Sequence, residues 1–214
     1  MSMLSLRLRK VAVTSLKSFG VLVALVAIIY IVYLFATMQA HSTRNGPLPK
    51  GNESAVLSEA HQLLAGVPEI RDLSNDSLRF AAMPSFGKRW FAVALSNNGK
   101  KVEGSAIIWD QETKTKSTSQ FSIPLPVYLR MTGAFDNQVD GYWGEARGWT
   151  DGTSLAFERK RGGRIVSGMG NSPCHYAVIT NALARDLSGY VPNIAELIEP
   201  AAESYAQSQN CNAF

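Results

Sequence analysis

The hydrophobic pattern of the chain opens with one uninterrupted apolar stretch. From Ser18 to Ala40 no residue is charged, and nearly every position from Gly20 to Ala36 is aliphatic or aromatic. About 20 such residues, each adding 1.5 Å to a helix, cross a hydrocarbon core roughly 30 Å thick. Because lipid offers no partner to backbone N–H and C=O groups, a helix is the expected conformation. The sequence therefore predicts a transmembrane helix over residues 18–40.

The charges that flank this helix predict its orientation. Residues 1–17 carry four cations and no acidic side chain, and the more positive side of a span stays in the cytoplasm. A cleaved signal peptide is the alternative interpretation, but the apolar run exceeds the usual h-region of about 7–15 residues. Met38 is also a poor match to the small residue that a cut after Ala40 requires. Residues 1–17 are therefore predicted to be a cytoplasmic basic stub, with the bulk of the chain beyond the membrane.

The pattern after the apolar stretch is that of one mixed domain. Residues 41–52 are polar and rich in Gly and Pro, which is typical of a tether, and the domain is predicted to span 53–214. Its first element is a helix that Asn52 caps, with apolar positions at helical spacing from Val56 to Leu64. Two further helices are predicted to begin at Ser172 and Asn193.

Between these helices the chain reads as a series of strands. Alternating, β-branched and aromatic runs predict strands over 77–82, 89–96, 102–110, 118–130, 155–160 and 165–167. Asn97–Lys100 and Arg161–Arg164 contain the residues that tight hairpin turns need. The order predicts an α+β fold in which an antiparallel β-meander packs against an N-terminal helix and two or three C-terminal helices.

The distribution of charge excludes one class of partner. Of the 21 Lys and Arg residues, four precede His41, so 17 cations and 17 acids lie beyond it, and 17 − 17 = 0. A nucleic-acid-binding domain normally carries a net basic face that neutralises several phosphates. The apparent basicity belongs to the cytoplasmic stub, and no nucleic-acid partner is predicted.

The two cysteines, Cys174 and Cys211, lie outside the predicted cytoplasmic part. In an oxidising compartment such a pair most simply forms a disulfide, and closing a loop of about 38 residues contributes roughly 4 kcal/mol. The alternative is a catalytic thiol at Cys174, in the first helical turn and beside His175. Adjacent helical residues point about 100° apart, so His175 is poorly placed as its base. The spacing therefore favours the disulfide.

Sites for metals, phosphates and cofactors are not predicted. The histidines and cysteines show none of the spacings of zinc sites. Asp136–Asp140 resembles the start of a calcium loop, but Arg147 stands where the bidentate acid belongs. The glycine-rich run Gly168–Pro173 lacks the third glycine and the lysine of a phosphate loop.

One segment has the composition of a binding site. Residues 140–152 combine flat aromatic rings with short polar and charged groups that can grip a peptide or stack on a sugar. The candidate partner-binding residues are Tyr142, Trp143, Glu145, Arg147 and Trp149. The alternative is that these rings fill or cover the core, as Trp90 and Trp109 are expected to do.

No serine, cysteine, metal or paired-carboxylate constellation identifies a reaction. The sequence predicts a non-enzymatic binding or assembly module of the bacterial envelope, anchored in the inner membrane, with its domain and its protein or cell-wall partner in the periplasm. A secretion-system or envelope-complex subunit and an immunity-type inhibitor both fit this description. The alternative is a membrane-tethered hydrolase that acts through Cys174. Gly20 and Ala24 form a small-xxx-small pair, which leaves a homodimer through the span open.

Overall fold

The structure is a computed structural model that describes residues 20–33, 44–50, 54–139, 152–173, 175–201 and 204. Its centre is a seven-stranded antiparallel sheet in the order β1-β7-β6-β2-β3-β4-β5, so the predicted α+β class with an antiparallel sheet is confirmed. The strands are β1 (Arg44–Asn45), β2 (Asp76–Pro84), β3 (Arg89–Asn97), β4 (Val102–Asp110), β5 (Lys116–Ile123), β6 (Thr153–Arg161) and β7 (Arg164–Gly170). The helices are α1 (the described residues 20–33), α2 (Ala55–Leu64), α3 (Leu125–Val139), α4 (Tyr176–Leu187) and a 3-10 helix (Ile194–Leu197).

The predicted hairpin turns are confirmed. Gly99 has φ of +84°, and the carbonyl oxygen of the Asn98 side chain accepts hydrogen bonds from the Lys100 and Lys101 amides at 3.1 and 3.0 Å. In the second hairpin Gly162 and Gly163 have φ of +54° and +84°. Left-handed backbone at these positions matches the twist of the flanking strands.

The predicted strand over 118–130 is wrong in its second half. β5 ends at Ile123, and α3 runs from Leu125 to Val139. Proline suits the first turn of a helix because the N–H it lacks would have no helical partner there. Pro124 and Pro126 therefore mark the start of a helix, and Tyr128 is the first of its buried residues.

The predicted helix starts also shift. Ser54 caps α2 by accepting a hydrogen bond from the Leu57 amide at 3.1 Å, while Asn52 lies outside the described residues. α4 begins at Tyr176 and not at Ser172, whose hydroxyl accepts from the His175 amide at 3.3 Å. A short 3-10 helix follows Asn193 in place of an α-helix.

The sheet buries both of its faces. On one face, called here the helix face, α3, α4 and the 3-10 helix cover Phe80, Phe91 and Phe157. On the other, the α2 face, small residues such as Ala81, Ala92 and Ala156 let α2 approach closely. The half-buried rings of Trp90 and Trp109 pack beside this second core.

Part of the predicted tether lies against the sheet. β1 pairs with β7, Leu48 is buried, and its amide donates to Glu158 Oε1 at 2.9 Å. Pro49 O lies 2.7 Å from His61 Nε2 on α2. Residues 44–50 are therefore packed on the domain.

α1 differs from the other helices in the exposure of its apolar side chains. Its large hydrophobic residues from Val21 to Tyr33 are each at least 50% exposed. Among the residues described, no helix is both long and apolar enough to cross a bilayer.

A buried ion pair connects several of these elements. Arg79 Nε lies 3.2 Å from Glu158 Oε2, and both side chains are under 10% exposed. Arg79 Nη2 also donates to Leu64 O, at the end of α2, at 3.1 Å. Burial lowers the pKa of Arg79, and the neighbouring carboxylate of Glu158 opposes that change.

The Glu158→Gln variant keeps the size of this side chain but removes the charge that faces Arg79. We expect its free energy of unfolding to fall by about 3–5 kcal/mol, because a buried guanidinium loses its counter-charge. The double variant Arg79→Met/Glu158→Leu removes both charges and should recover much of that loss. Urea unfolding followed by circular dichroism measures both, and a double variant as unstable as the single one would contradict the prediction.

Candidate functional site

Most of the residues that the sequence singles out for function lie outside the described residues. These are Tyr142, Trp143, Glu145, Arg147, Trp149, Cys174 and Cys211. The aromatic binding segment and the disulfide therefore stay predictions. His175 is described, and it is half-buried directly before α4.

Two other motifs have structural positions that exclude the suggested loops. Gly168 and Gly170 belong to β7, where a methyl group on either would collide with the rings of Phe157 or Tyr176. These glycines thus permit close packing and do not form a phosphate loop. Asp136 lies within α3 and binds Arg159, so it does not begin a calcium loop.

Several connections gather at one end of the sheet, called here the loop end. The register pairs Pro84 with Thr153, Leu155 with Gly170, and Arg89 with Asp110. The β2–β3 turn, the β4–β5 turn, the start of β6 and the segment after β7 therefore meet there. An antiparallel sheet brings such turns together although they are far apart in sequence.

A polar groove opens at the loop end, on the helix face between β5 and the segment before the 3-10 helix. Its volume is about 340 Å³. It is lined by Arg89, Ile108, Asp110, Thr115, Ser117, Thr118, Ser119, Pro192 and Asn193. Hydroxyl groups dominate this lining, and Asn193 has a left-handed backbone with φ of +59°.

The single cation of this lining is held between two carboxylates. Arg89 Nε lies 3.6 Å from Asp110 Oδ2, and Arg89 Nη1 also pairs with Glu196 Oε1. Asp110 Oδ1 accepts hydrogen bonds from the Thr113 and Glu112 amides at 2.9 and 3.0 Å. These backbone bonds, foremost that of Thr113, hold the pKa of Asp110 below its usual range.

The three charged groups, Arg89, Asp110 and Glu196, sum to +1 − 2 = −1. The groove therefore disfavours anions and suits uncharged polar or cationic groups. The hydroxyl of Ser119 is shielded from solvent and has no hydrogen-bond partner among the described residues.

The groove lining offers hydroxyl, amide, carboxylate and guanidinium groups for hydrogen bonding. Its lining contains neither a cysteine nor a histidine that could act as nucleophile or base. Within the described ranges, no group of three His, Cys, Asp or Glu side chains is placed to hold a metal ion.

The groove adjoins an open sheet edge. β5 is the last strand of the sheet and pairs with β4 alone among the described strands. Its residues from Ser117 to Ser122 are uncharged, contain no proline and are largely exposed. Lys116 and Pro124, which discourage edge pairing, stand only at the two ends of this stretch.

A second concentration of ionisable groups lies at the opposite end of the helix face. Arg159 reaches Asp136 through Nε at 3.0 Å and Asp76 through Nη1 at 2.6 Å. Tyr128 and Asn97 donate to the two oxygens of Asp76 at 3.0 and 2.9 Å. Arg159 is only 4% exposed, and its bond to Asp136 fastens α3 to the sheet.

The cluster alters the ionisation of its members. Burial alone would raise the pKa of Asp76, but hydrogen bonds from Asn97, Arg159 and Tyr128 together hold it below the usual range. The pKa of Tyr128 is raised, chiefly by burial. Sequence reasoning missed this cluster, although one signal exists: Arg159 occupies the same face of β6 as Leu155 and Phe157.

The chain has no match in three comparisons with known proteins. No protein-family model, no curated protein and no solved structure is significantly similar to it. The functional conclusion therefore rests on the residues and the geometry.

The lowered pKa of Asp76 predicts an acid-sensitive domain. A carboxylate whose pKa is lower in the folded than in the unfolded state stabilises the fold above its unfolded pKa, about 3.9, and loses that contribution as the pH falls below it. We expect Asp76→Asn to lower the free energy of unfolding at pH 7 by about 1–2 kcal/mol, a modest value because the side chain is 35% exposed. The variant should also lose less stability between pH 5 and pH 3.

Urea titrations at pH 7, 5 and 3 measure this difference. Glu103→Gln is the matched control, because it removes an exposed carboxylate that pairs with Lys101. Its effect should stay within about 0.5 kcal/mol at each pH. Parallel pH curves for the parent chain and Asp76→Asn would refute the role given to Asp76.

Proposed function

We propose that this chain is a single-pass membrane protein that holds a non-enzymatic binding module outside the cytoplasm, in the periplasm of a bacterial envelope. The module captures an extended segment of a protein partner along β5. The observation that carries this proposal is the juxtaposition of an open, uncharged sheet edge with a polar groove that the same strand lines.

The anchor is supported by the state of α1. Eleven large apolar side chains on all sides of this helix are at least half exposed, and a helix that is apolar all round needs an apolar environment. The predicted span, residues 18–40, contains the 14 described residues of α1 and extends beyond them without a charge. The four cations before it favour the orientation with the domain outside.

Peptide capture is supported by the geometry of β5. An extended peptide that joins a sheet edge gains main-chain hydrogen bonds for affinity, and pockets for alternate side chains provide specificity. Ser117 and Ser119 point into the groove from this strand. The excess negative charge beside Arg89 selects an uncharged or cationic side chain for that position.

The polar character of the site favours a transient interaction. β5 exposes hydroxyl and amide groups and few apolar ones, and short polar interfaces belong to the weak end of protein recognition. A regulatory or assembly contact fits this range. A cell-wall component is the alternative ligand, and it would use the groove without the strand edge.

The anchor is tested by charge insertion. We expect the parent chain to stay in the membrane fraction after alkaline carbonate extraction. Leu25→Arg/Ile29→Arg should shift much of the protein to the soluble fraction, because each charge near the centre of a span costs about 2.5–3.5 kcal/mol. Leu129→Arg is the matched control: Leu129 is as exposed as Leu25, 53% against 52%, but lies on α3. Equal extraction of both variants would contradict the anchor.

The partner site is tested by photocrosslinking in intact membranes. With p-benzoylphenylalanine in place of Thr118 on the β5 edge, we expect a protein adduct of defined mass. Gln62, exposed on α2, is the control position and should give no such adduct. Adding Ser119→Glu should reduce the adduct at least about tenfold, because the larger side chain occupies the space in the groove that a side chain of the partner would enter.

A matched variant distinguishes an effect on the groove from a general effect of a glutamate on β5. Ser122→Glu adds the same charge to the same strand, but Ser122 is not part of the groove lining. Its adduct should keep the yield of the parent. An adduct that survives Ser119→Glu, or that contains glycan and no peptide, would overturn capture of a protein segment along β5.

A further inference from the structure

The short connection between the predicted span and the sheet restricts how the domain can sit. β1 begins at Arg44, four residues after Ala40, the last residue of the predicted span. Four steps of a trans backbone, at 3.8 Å each, reach about 15 Å. Arg44 must therefore lie within about 15 Å of the end of the span.

The direction of β1 indicates which end of the domain faces the bilayer. Arg44 pairs with Ser167, and Gly46 donates its amide to Ile165 O at 2.8 Å, so the chain runs away from the loop end as it enters the sheet. Ser167 is three residues, about 10 Å, from Gly170 at the loop end. If the chain reversed direction within residues 41–43, these three residues would be too short to bring the opposite end of the sheet to the membrane.

The loop end carries a solvent-exposed aromatic ring. Phe86, in the β2–β3 turn, is 87% exposed, more than any other large hydrophobic residue described. The two residues before it are held by hydrogen bonds. The Ser85 amide and hydroxyl donate to Gly152 O at 3.0 and 2.9 Å, and the Trp90 indole donates to Pro84 O at 3.3 Å. A ring held out in this way has no role in the core.

We propose that the loop end docks on the outer surface of the same membrane, with Phe86 inserted at the lipid headgroup boundary. This inference rests on the proposed anchor. Phe, like Trp and Leu, occurs on the apolar face of interfacial helices, which is buried about 5–10 Å into that boundary. Lys88, two residues after Phe86, pairs with Glu112 at 3.1 Å, so these two exposed side chains add no net charge beside the lipid phosphates and the contact rests on the Phe86 ring.

Because the domain is tethered to the membrane, even a weak contact between Phe86 and lipid can hold the loop end on the bilayer. One ring at an interface stabilises docking only slightly, but a short linker turns docking into an intramolecular event at millimolar effective concentration. The sheet then stands with its strands rising from the bilayer. β5 lies two to three strand intervals from the β2–β3 turn, about 10–14 Å away, so its edge stays open from the side while the groove beside Arg89 lies close to the membrane surface.

The test places p-benzoylphenylalanine at residue 86 of the full chain, reconstituted in vesicles of phosphatidylethanolamine and phosphatidylglycerol at 3:1. Irradiation followed by mass spectrometry should detect a lipid adduct on residue 86. The control, Lys100→p-benzoylphenylalanine, tests the exposed β3–β4 turn at the opposite end and should give only background. Both positions are exposed, and equal thermal unfolding midpoints would verify that both variants fold.

A variant with a longer linker distinguishes a docked Phe86 ring from one that is only exposed, because only the docked ring depends on the length of the linker. Twenty Gly and Ser residues inserted after Ser42 lengthen the connection from 4 to 24 steps. Effective concentration falls at least as the −3/2 power of length, so the lipid adduct at residue 86 should drop roughly tenfold or more.

The outcomes separate the docking proposal from the anchor. A lipid adduct at residue 86 alone, reduced in the long-linker variant, supports docking. Three results would overturn docking in a chain that resists carbonate extraction: no lipid adduct at residue 86, equal adducts at both positions, or a crosslink from residue 86 to protein. In each case the proposal of a membrane anchor would still hold. A chain that carbonate releases overturns both.

Discussion

Three consecutive charged residues in the middle of the sheet set the strictest constraint on this fold. Glu158, Arg159 and Lys160 of β6 are all buried, and each has different partners. Glu158 binds Arg79 and the Leu48 amide, and Lys160 donates to Arg71 O and Leu73 O at 3.1 and 2.8 Å. Burying an unpaired charge costs several kcal/mol, so all three sets of contacts must form together.

Because side chains alternate along a strand, this run of charges also fixes the register of β6. Arg159 faces α3, whereas Glu158 and Lys160 face α2 and the segments beside it. A slip of one residue would send each charge to the wrong face, among apolar side chains. The partners lie on residues 44–50, α2, the segment before β2, and α3. A single strand therefore determines where the covering elements sit, and through them which turns meet at the loop end.

The parts of the fold that could be predicted are those that local pattern controls. Gly99, Gly162 and Gly163 stand where hairpins need left-handed backbone, and β4 has the predicted bounds because its alternation is bounded by turns on both sides. α3 was missed because the alternation of apolar residues in β5 continues by chance beyond Pro124, through Leu125, Val127 and Leu129. The groove could not be predicted from the sequence for another reason. Arg89, Asp110 and Asn193 come from separate elements, and only long-range strand pairing and packing bring them together.

The polarity of β5 is best understood from its neighbours. Each central strand is covered on both faces, so its sequence is dominated by apolar and small residues, whereas β5 exposes Lys116, Thr118, Gln120 and Ser122 on the α2 face. A free edge with apolar side chains would aggregate, and one with many charges would repel any added strand. Hydroxyl and amide side chains avoid both outcomes. They limit aggregation while the backbone groups of the edge remain able to pair, which is the combination that the proposed capture of a partner segment requires.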